Sequence, residues 1–322
     1  MLPRTNRTLA QFIMESTGCT SFEIREVVQE LWSGYGSILR IDLRGANQSS
    51  VILKQVDLQG VNSHPRGWNT HRSHQRKLKS YEVEWNWYSN VSLANEEGLK
   101  MPSFLGAKTT EKAKFLLMED LNASGYPVRK SSASPEEIKS CLTWLARFHA
   151  NYLGKPCDGL WETGTYWHLA TRPDEWNRMN PGLLKDRAEE IDRVLATSRF
   201  RTLVHGDAKL ANFCFSKSGR KVAAVDFQYV GSGCGMKDVA YFLSGCLSSE
   251  ECFEWENDLL DHYFVELRTY TPQTFNGASL EEEWRTLYPF AWADFIRFLS
   301  GWSPTHYKLH EYGRSMVKKV LA

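Results

Sequence analysis

The chain has 322 residues, and the change in its sequence pattern near residue 120 most constrains its fold. Before this point, short aliphatic and β-branched runs occur at Ile38–Leu43, Val51–Val56, Ser103–Lys108 and Phe115–Met118. Such runs predict β-strands, and the polar segment between the first two, which contains a glycine and an asparagine, predicts a hairpin. Leu78–Leu93 reads as a helix. We therefore expect a small antiparallel sheet with one helix in this part.

After residue 130 the apolar residues recur at helical spacing. Ser134–Glu137 places a serine at the N-cap, a proline in the first turn and a glutamate at the third helical position, which is a strong helix start. Ser248–Glu251 repeats the serine and glutamate, and a third helix is expected from about Leu280. The sequence thus predicts an α+β fold of two lobes, a β-rich lobe over 1–119 and a larger, mainly helical lobe over 120–322.

Composition excludes several functional classes. Lys and Arg total 39 and Asp and Glu total 38, so the chain lacks the basic excess of a nucleic-acid-binding domain or a polybasic membrane anchor. No run of about 18 uncharged apolar residues predicts a membrane span, and the charged residues within Met1–Gly18 argue against a secretory signal. Seven scattered cysteines without a C-x-x-C pair indicate reduced thiols. We expect a cytoplasmic protein with no nucleic-acid or membrane partner.

Two short apolar runs, Phe213–Phe215 and Ala223–Val225, predict a hairpin around Gly219. If the hairpin is centred on Gly219, Asn212 lies directly opposite Asp226, and their Cβ atoms are about 5 Å apart on one face. An amide oxygen and a carboxylate so placed can share one magnesium ion, which prefers oxygen ligands and takes phosphates and waters in its other positions. The hairpin therefore predicts a magnesium site.

Asp207 lies five residues before Asn212, in the loop that leads into the hairpin. A carboxylate that lies beside a metal site without being needed as its ligand can accept the proton of a hydroxyl group. The pattern H-x-D-x-x-x-x-N, followed fourteen residues after the asparagine by D-F, is the layout of a kinase catalytic loop and its metal-binding aspartate. The spacing therefore predicts phosphoryl transfer.

The segment His205–Asn212, which reads H-G-D-A-K-L-A-N, resembles the catalytic loop of the aminoglycoside phosphotransferase and choline kinase superfamily, which shares the protein-kinase-like fold. Its H-G-D opening favours this small-molecule branch over protein kinases, whose loop usually reads H-R-D. Asp226–Gln228, which reads D-F-Q, is similar to the ecdysteroid-kinase-like group.

The resemblance implies roles for individual residues. It implies Asp207 as the catalytic base, Asn212 and Asp226 as magnesium ligands, and Lys209 as a residue that touches the γ-phosphate. It further implies ATP and Mg²⁺ as cofactors and the hydroxyl group of a small molecule as the acceptor.

The resemblance also implies an ATP-binding set in the β-rich lobe. Gly34, Gly36 and Ser37 stand in a turn whose backbone N–H groups would approach phosphates. Lys54, at the end of the run V-I-L-K, matches the strand lysine that binds the α- and β-phosphates.

The rest of this set falls on the next helix and on a hinge strand. Glu84 is the expected partner of the strand lysine, and Glu82 is the alternative. The segment Phe115–Leu121, which reads F-L-L-M-E-D-L, resembles the hinge strand of related kinases, which often ends E-D-L. The resemblance implies that backbone groups near Glu119 and Leu121 bind adenine and that Met118 lines the pocket.

The resemblance extends to the residues around and after the catalytic loop. His205 is expected to be a buried structural residue, and Asp238 matches an aspartate that braces the loop. Gly231–Gly235 is expected to be a flexible segment in the place of an activation segment. Asp238 follows Asp226 within twelve residues, and so short a segment favours a small substrate.

Two rival functions remain at this stage: a nucleotide-binding pseudokinase scaffold and, less favoured, a protein kinase. The acceptor is open, since choline-like cations would need an aromatic cage and steroid-like alcohols a broad apolar pocket. The near-zero net charge gives no sign of the acidic cleft that aminoglycosides demand. Trp161, Trp167 and Trp302 are the candidates for a substrate wall. The oligomeric state also stays open.

Overall fold

The computed structural model describes residues 7–31, 34–57, 71–91 and 98–322. The polar segment Asp57–Arg76, with a proline, a glycine and three histidines, predicts a loop insertion, and its residues 58–70 lie outside these ranges. The strands of the main sheet are β1 (Ser21–Glu30), β2 (Gly36–Arg44), β3 (Ser50–Asp57), β4 (Phe104–Thr109) and β5 (Ala113–Glu119). They pair antiparallel in the order β1-β2-β3-β5-β4.

Two helices, α1 (Arg7–Thr17) and α2 (His71–Asn86), accompany this sheet. The prediction of one helix in this part was wrong, because α1 and the edge strand β1 were not recognised. Helix α2 begins earlier than the predicted Leu78 and continues into a π-helical turn at Trp87–Val91. The four predicted strands are confirmed as β2 to β5.

Strand alternation decides which face of the sheet each β3 side chain occupies. Leu53 packs with Leu9 and Ile13 of α1 on one face of the sheet. Lys54, the next residue, therefore points to the opposite face. That face is covered by α2, whose Val83 belongs to the main core cluster. The sheet thus separates an apolar α1 layer from a layer that carries a buried lysine.

The remainder of the chain is mainly helical. Its helices are α3 (Pro135–Asn151), α4 (Pro173–Arg178), α5 (Leu183–Asp186), α6 (Ala188–Ala196), α7 (Met236–Cys246), α8 (Ser249–Tyr270), α9 (Gly277–Trp302) and α10 (Glu311–Leu321). Four short strands form two ribbons, β6 (Thr202–Val204) with β9 (Gly231–Gly233) and β7 (Phe213–Phe215) with β8 (Val222–Ala224).

The two capping boxes that the sequence predicts are both formed. Ser134 accepts a hydrogen bond from the Glu137 N–H while the Glu137 carboxylate accepts one from the Ser134 N–H. Ser248 and Glu251 make the same reciprocal pair at the start of α8. Each pair satisfies two N–H groups that would otherwise lack an intrahelical partner. The α+β class predicted from the sequence is confirmed, whereas the lobe boundary after residue 119 stays a prediction.

A buried charged cluster ties α9 to α7. The Asp294 carboxylate forms ion pairs with Arg297 Nη2 at 2.7 Å and Lys237 Nζ at 3.3 Å. It also accepts a hydrogen bond from the Trp167 indole N–H at 3.0 Å. Burial alone would raise the pKa of Asp294, but the Lys237 and Arg297 charges outweigh it and lower that pKa to about 2. The carboxylate is therefore an anion at neutral pH, and its partners offset the cost of burying it.

No helix in the described part of the chain combines the length and the apolar character that a bilayer crossing requires.

Candidate active site

A cavity of about 1150 Å³ lies between the five-stranded sheet and the helical part. One wall comes from β1, β2, β3, β5 and α2, and the other from the loops around β7 and β8 together with α7 and α9. Six residues that the sequence analysis placed in the catalytic, metal or lysine–glutamate sets line it: Lys54, Glu84, Asp207, Lys209, Asn212 and Asp226. The fold therefore brings together residues that lie far apart in the sequence.

Lys54 and Glu84 form a buried ion pair, with 2.6 Å between Nζ and Oε2 and 4% exposure of each side chain. Glu82 lies exposed on α2, so the structure selects Glu84 over the alternative. Lys54 Nζ also lies 3.8 Å from Asp226 Oδ1. Burial raises the pKa of Glu84, and the Lys54 ammonium opposes that rise. The pair joins the sheet to α2 beside the candidate metal ligand.

Helix α2 presents a second lysine to the cavity, which the sequence analysis did not single out. Lys77 donates to Gln228 Oε1 at 2.9 Å, and its ammonium lies 4.7 Å from the centre of the Tyr81 ring. The Ser80 hydroxyl donates to the same amide oxygen. Burial lowers the pKa of Lys77 to about 8. Lys77 lies two helical turns before Glu84 on one face, and this spacing is the signal that could have identified it.

Hydrogen bonds hold both carboxylate oxygens of Asp207. Oδ2 accepts from Lys209 Nζ at 2.8 Å and from Asn212 Nδ2 at 3.1 Å, and Oδ1 accepts from the Tyr241 hydroxyl at 3.0 Å. Burial would lower the pKa of Lys209, but the charges of Asp207 and Asp226 raise it. The carboxylate therefore has a fixed orientation in the cavity beside a protonated lysine.

Asp238 braces the predicted catalytic loop, His205–Asn212. Its carboxylate accepts the N–H groups of His205 at 2.5 Å and Gly206 at 2.9 Å, which confirms the predicted bracing contact. Gly206 has φ = 79°, and a Cβ there would lie 2.1 Å from the Tyr229 carbonyl oxygen. His205 is fully buried, and its Nε2 lies 3.0 Å from the Val225 carbonyl oxygen. The middle residue of the H-G-D motif must therefore be glycine, because there is no room for a Cβ and the backbone has a positive φ.

The predicted register of the catalytic hairpin was wrong by one residue. Asn212 lies opposite Val225, whose N–H donates to the Asn212 carbonyl at 3.0 Å, because the turn is centred between Ser218 and Gly219. Strict strand alternation would then point Asp226 away from Asn212. Asp226 instead has φ = 69°, outside strand geometry, and its side chain still lines the cavity with Asn212.

The side chains of Asn212 and Asp226 fit a magnesium site. Asp226 Oδ1 is a buried atom without a hydrogen-bond partner. Asn212 Nδ2 donates hydrogen bonds to the Asp207 carbonyl oxygen and to Asp207 Oδ2, so the side-chain oxygen of Asn212 can coordinate a metal ion. Burial would raise the pKa of Asp226, but Lys54 and two further lysines lower it, so the group is an anion. The described residues hold no cluster of three or more His, Cys, Asp or Glu side chains for a metal, and Mg²⁺ needs few protein ligands when phosphates and waters complete its shell.

The predicted phosphate turn joins β1 to β2, but Gly34, Gly36 and Ser37 are not among the residues that line the cavity. Tyr35, between them, does line it. A Cβ at Gly36, where φ is 132°, would lie 2.1 Å from the Gln55 carbonyl oxygen. Close packing on β3 therefore already requires glycine at this position. A phosphate contact by these three residues stays a prediction.

The predicted hinge residues Met118, Glu119 and Leu121 all line the cavity. The Glu119 carboxylate forms an ion pair with Lys100 at 2.6 Å, and the Glu119 N–H donates to the Ser103 carbonyl at 2.9 Å. These two groups of Glu119 are already engaged within the protein. A bound adenine would have to use other backbone groups of this segment.

Gly231–Gly235, which was expected from the sequence to be a flexible segment, contains a regular strand. Its first three residues form β9, which pairs with β6. A Cβ at Gly231 would lie 2.2 Å from the Trp161 carbonyl oxygen, so the glycine allows two backbone segments to touch. This packing involves residues far apart in the chain, so the glycine-rich composition of the segment does not reveal it.

Aromatic side chains form the end of the cavity beside Asp207. They are Tyr166, Tyr229, Tyr241, Phe295, Phe298, Trp302 and Tyr307. Of the three tryptophans proposed from the sequence, Trp302 lines this end. Trp161 instead donates its indole N–H to the Gln228 carbonyl, and Trp167 is fully buried.

Comparison with known proteins identifies the family. The sequence profile of the phosphotransferase enzyme family matches residues 71–274. The chain belongs to this family. It is 23% identical over 262 residues to D1044.1, an uncharacterised kinase-like protein of Caenorhabditis elegans, across 73% of this chain and 68% of that protein.

Two solved structures of small-molecule kinases align with most of this chain. A microcompartment-associated aminopropanol kinase aligns over 98% of this chain and 93% of its own, with a TM-score of 0.48 and 13% identity. A Plasmodium vivax ethanolamine kinase aligns over 94% of this chain and 82% of its own, with a TM-score of 0.46 and 13% identity.

Several cavity residues of this phosphotransferase family member carry no sequence signal of their own. Tyr241 lies three residues after Asp238 in α7, so only the bracing aspartate marks its position. Lys308 follows the last turn of α9 in an irregular segment, where neither periodicity nor a motif indicates that it enters the cavity.

Proposed function

We propose that this member of the phosphotransferase family is an ATP- and magnesium-dependent kinase that transfers the γ-phosphate to a hydroxyl group of a small molecule. One observation carries the proposal. The Asp207 carboxylate, the Asn212 and Asp226 side chains and the Lys54–Glu84 ion pair all line a single cavity. Phosphoryl transfer requires a base, a metal site and a phosphate-binding cation in this proximity.

Three lysines line the side of the cavity where the triphosphate would lie. Lys54 and Lys77 project from β3 and α2, and Lys209 projects from the catalytic loop. Their ammonium groups would neutralise the phosphate oxygens. Asn212 and Asp226 would hold the magnesium ion, which supplies charge neutralisation to the phosphates when bound.

Asp207 would orient the acceptor and take its proton. The O–H bond of the acceptor breaks as its proton passes to the Asp207 carboxylate, and the oxygen forms a bond to the γ-phosphorus. The bond between the γ-phosphorus and the bridging oxygen breaks, and ADP leaves with that electron pair. Tyr241, through its hydrogen bond to Oδ1, would keep the other carboxylate oxygen pointed at the acceptor.

The segment after Asp226 supports a small acceptor rather than a protein. Its residues form the buried strand β9 and then the start of α7, instead of an extended loop that could dock a peptide. All seven cysteines are unpaired. We propose a cytoplasmic location because free thiols are typical of reducing compartments. We also propose that the chain consists of two lobes that meet after residue 119.

A screen of alcohol-containing metabolites for ADP release, with mass detection of the phosphorylated product, tests the proposed function. Asp207→Asn should reduce transfer by about a thousandfold, because it removes the proton acceptor, and should leave the stabilisation by ATP–Mg²⁺ intact. Asp258→Asn removes an exposed carboxylate from α8 and serves as the matched control.

Undiminished turnover in Asp207→Asn would contradict the assignment of the base. ATP that stabilises the fold without transfer to any alcohol would favour the pseudokinase scaffold, and phosphate incorporated into proteins alone would favour a protein kinase.

A further inference from the structure

Lys308 lies between α9 and α10, at the aromatic end of the cavity. The residue is 7% exposed. Its ammonium lies 4.8 Å from the centre of the Tyr241 ring and 5.5 Å from the centre of the Phe295 ring. Aromatic faces attract a cation but do not replace an anionic partner. This lysine is therefore a buried positive charge within an apolar wall.

Within the described residues, the Lys308 ammonium has no ion-pair or hydrogen-bond partner, and its backbone N–H alone donates, to His306. Of two other cations in the cavity, Arg172 pairs with Glu175 at 3.2 Å, and Arg76 donates to the Thr171 carbonyl oxygen at 2.9 Å and to the Ser73 hydroxyl. A buried charge without a partner is unfavourable, and burial accordingly lowers the pKa of Lys308 to about 8. The amine is still mainly protonated at neutral pH, and an anionic ligand would supply the missing partner.

The position of Lys308 relative to the base favours an acceptor ligand rather than a structural ion. Tyr241 donates its hydroxyl to Asp207 at 3.0 Å, and the ring of the same tyrosine lies against Lys308. One aromatic ring thus bridges the two groups. A ligand with its hydroxyl at Asp207 can lie along this ring and reach the ammonium with its other end.

The carboxylates of the cavity argue against a cationic acceptor. Each has a Lys or Arg partner within 3.8 Å: Glu84, Glu119, Asp120, Asp207 and Asp226. An ammonium group on the acceptor would therefore find no carboxylate that lacks a partner among the lining residues. The aromatic end instead offers apolar rings and the Lys308 ammonium, which has no hydrogen-bond or ion-pair partner among the described residues.

We propose that the acceptor is a largely apolar hydroxyl compound with an anionic group, such as a carboxylate or a sulfate, and that Lys308 binds this group while the Tyr241 and Phe295 rings pack on the apolar body. The acceptor role rests on the proposed function, whereas the anion site itself is testable without catalysis.

Two fluorescent probes that share one ring system test the site. Anilinonaphthalene sulfonate carries an anionic group, and N-phenylnaphthylamine lacks only that group. The wild-type protein should bind the sulfonate more tightly. Lys308→Met should weaken sulfonate binding about tenfold, the effect of one charge-assisted contact, and should change the affinity for the neutral probe less than about twofold. Lys308→Arg should retain most of the sulfonate preference.

Lys319→Met, which removes an exposed lysine from α10, is the control for net charge. Thermal unfolding of each variant checks folding, and Lys308→Met should remain folded because it removes an unpaired buried charge. Equal loss of both probes in Lys308→Met, or an unchanged sulfonate affinity, would overturn the proposal.

Stabilisation by ATP–Mg²⁺ is measured on the same samples. A loss of this stabilisation in Lys308→Met would assign the lysine to the nucleotide and also overturn the anion site. If ATP does not stabilise the wild-type protein while the sulfonate preference depends on Lys308, the proposed kinase function fails and the anion site stands.

Discussion

Glu84→Gln is the substitution that tests most directly the proposed nucleotide-binding side of the cavity. It keeps the shape of the side chain and a hydrogen-bond acceptor but removes the charge that faces Lys54 at 2.6 Å. Lys54 Nζ also lies 3.8 Å from Asp226 Oδ1. Without the Glu84 charge, the ammonium should shift towards Asp226 and compete with magnesium for that carboxylate.

The magnitude follows from the geometry of the pair. Two unit charges 2.6 Å apart attract by about 6 kcal/mol at an effective dielectric constant of about 20. The cost of burying the Glu84 carboxylate, visible in its raised pKa, offsets part of this. If about half is lost from the transition state, roughly 3 kcal/mol, kcat/KM should fall about a hundredfold, and the magnesium concentration needed for half-maximal activity should rise.

The assay is ADP release against magnesium concentration, with the acceptor found by the alcohol screen or with water alone as a slow acceptor. Glu82→Gln is the matched control, since it removes an exposed carboxylate from the same helix. The reasoning is refuted if Glu84→Gln keeps more than half of the wild-type kcat/KM, or if Glu82→Gln loses as much.

Three other perturbations, and the pH dependence of probe binding, test further parts of the structure. Tyr241→Phe removes one hydrogen bond from Asp207, so kcat should fall about tenfold or more with KM nearly unchanged in steady-state kinetics. Gly206→Ala places a Cβ against a backbone carbonyl at positive φ and should lower the free energy of unfolding by at least about 2 kcal/mol in urea denaturation. The pKa of Asp294, lowered to about 2 by two neighbouring cations although burial alone would raise it, lies below its unfolded value. Its contribution of about 2 kcal/mol is therefore present above pH 4 and lost as the pH falls from 4 towards 2; unfolding of Asp294→Asn should not show this loss. Because the pKa of Lys308 is about 8, the affinity for the sulfonate probe should fall as the pH rises from 7 to 9, and Lys308→Met should show a flat profile.

Elements with strong local signals were predictable, whereas strand β1 and helix α1 were not. The capping boxes at Ser134 and Ser248 involve residues only three positions apart, so the local sequence is sufficient to predict their hydrogen bonds. Strand β1 is largely exposed and rich in charged residues, so it lacks the apolar run that marked β2 and β3. Helix α1 buries Leu9, Phe12 and Ile13 against the sheet, and its short apolar stripe becomes meaningful only when that surface is present.

The sequence predicted which residues of the catalytic-loop and metal sets line the cavity, but it did not predict all of their geometry. The order Asp207, Asn212 and Asp226 follows a spacing that the chemistry of phosphoryl transfer requires. The hairpin register depended on where a short polar turn bends, and an error of half a residue in the turn centre moved the partner of Asn212 by one position. The positive φ of Asp226, which returns its side chain to the cavity, has no signature in the residue type.

The sequence by itself determined the α+β class, the starts of α3 and α8 and the spacing of the candidate catalytic residues, because local sequence patterns carry each of them. Tertiary structure decided which glutamate meets Lys54, since Glu82 and Glu84 are separated by roughly 200° around α2 and only packing against the sheet selects one of them. It also decided that Lys308, far along the chain, ends beside Tyr241 without an anionic partner among the described residues. Such contacts depend on how whole elements pack, and local periodicity carries no information about that packing.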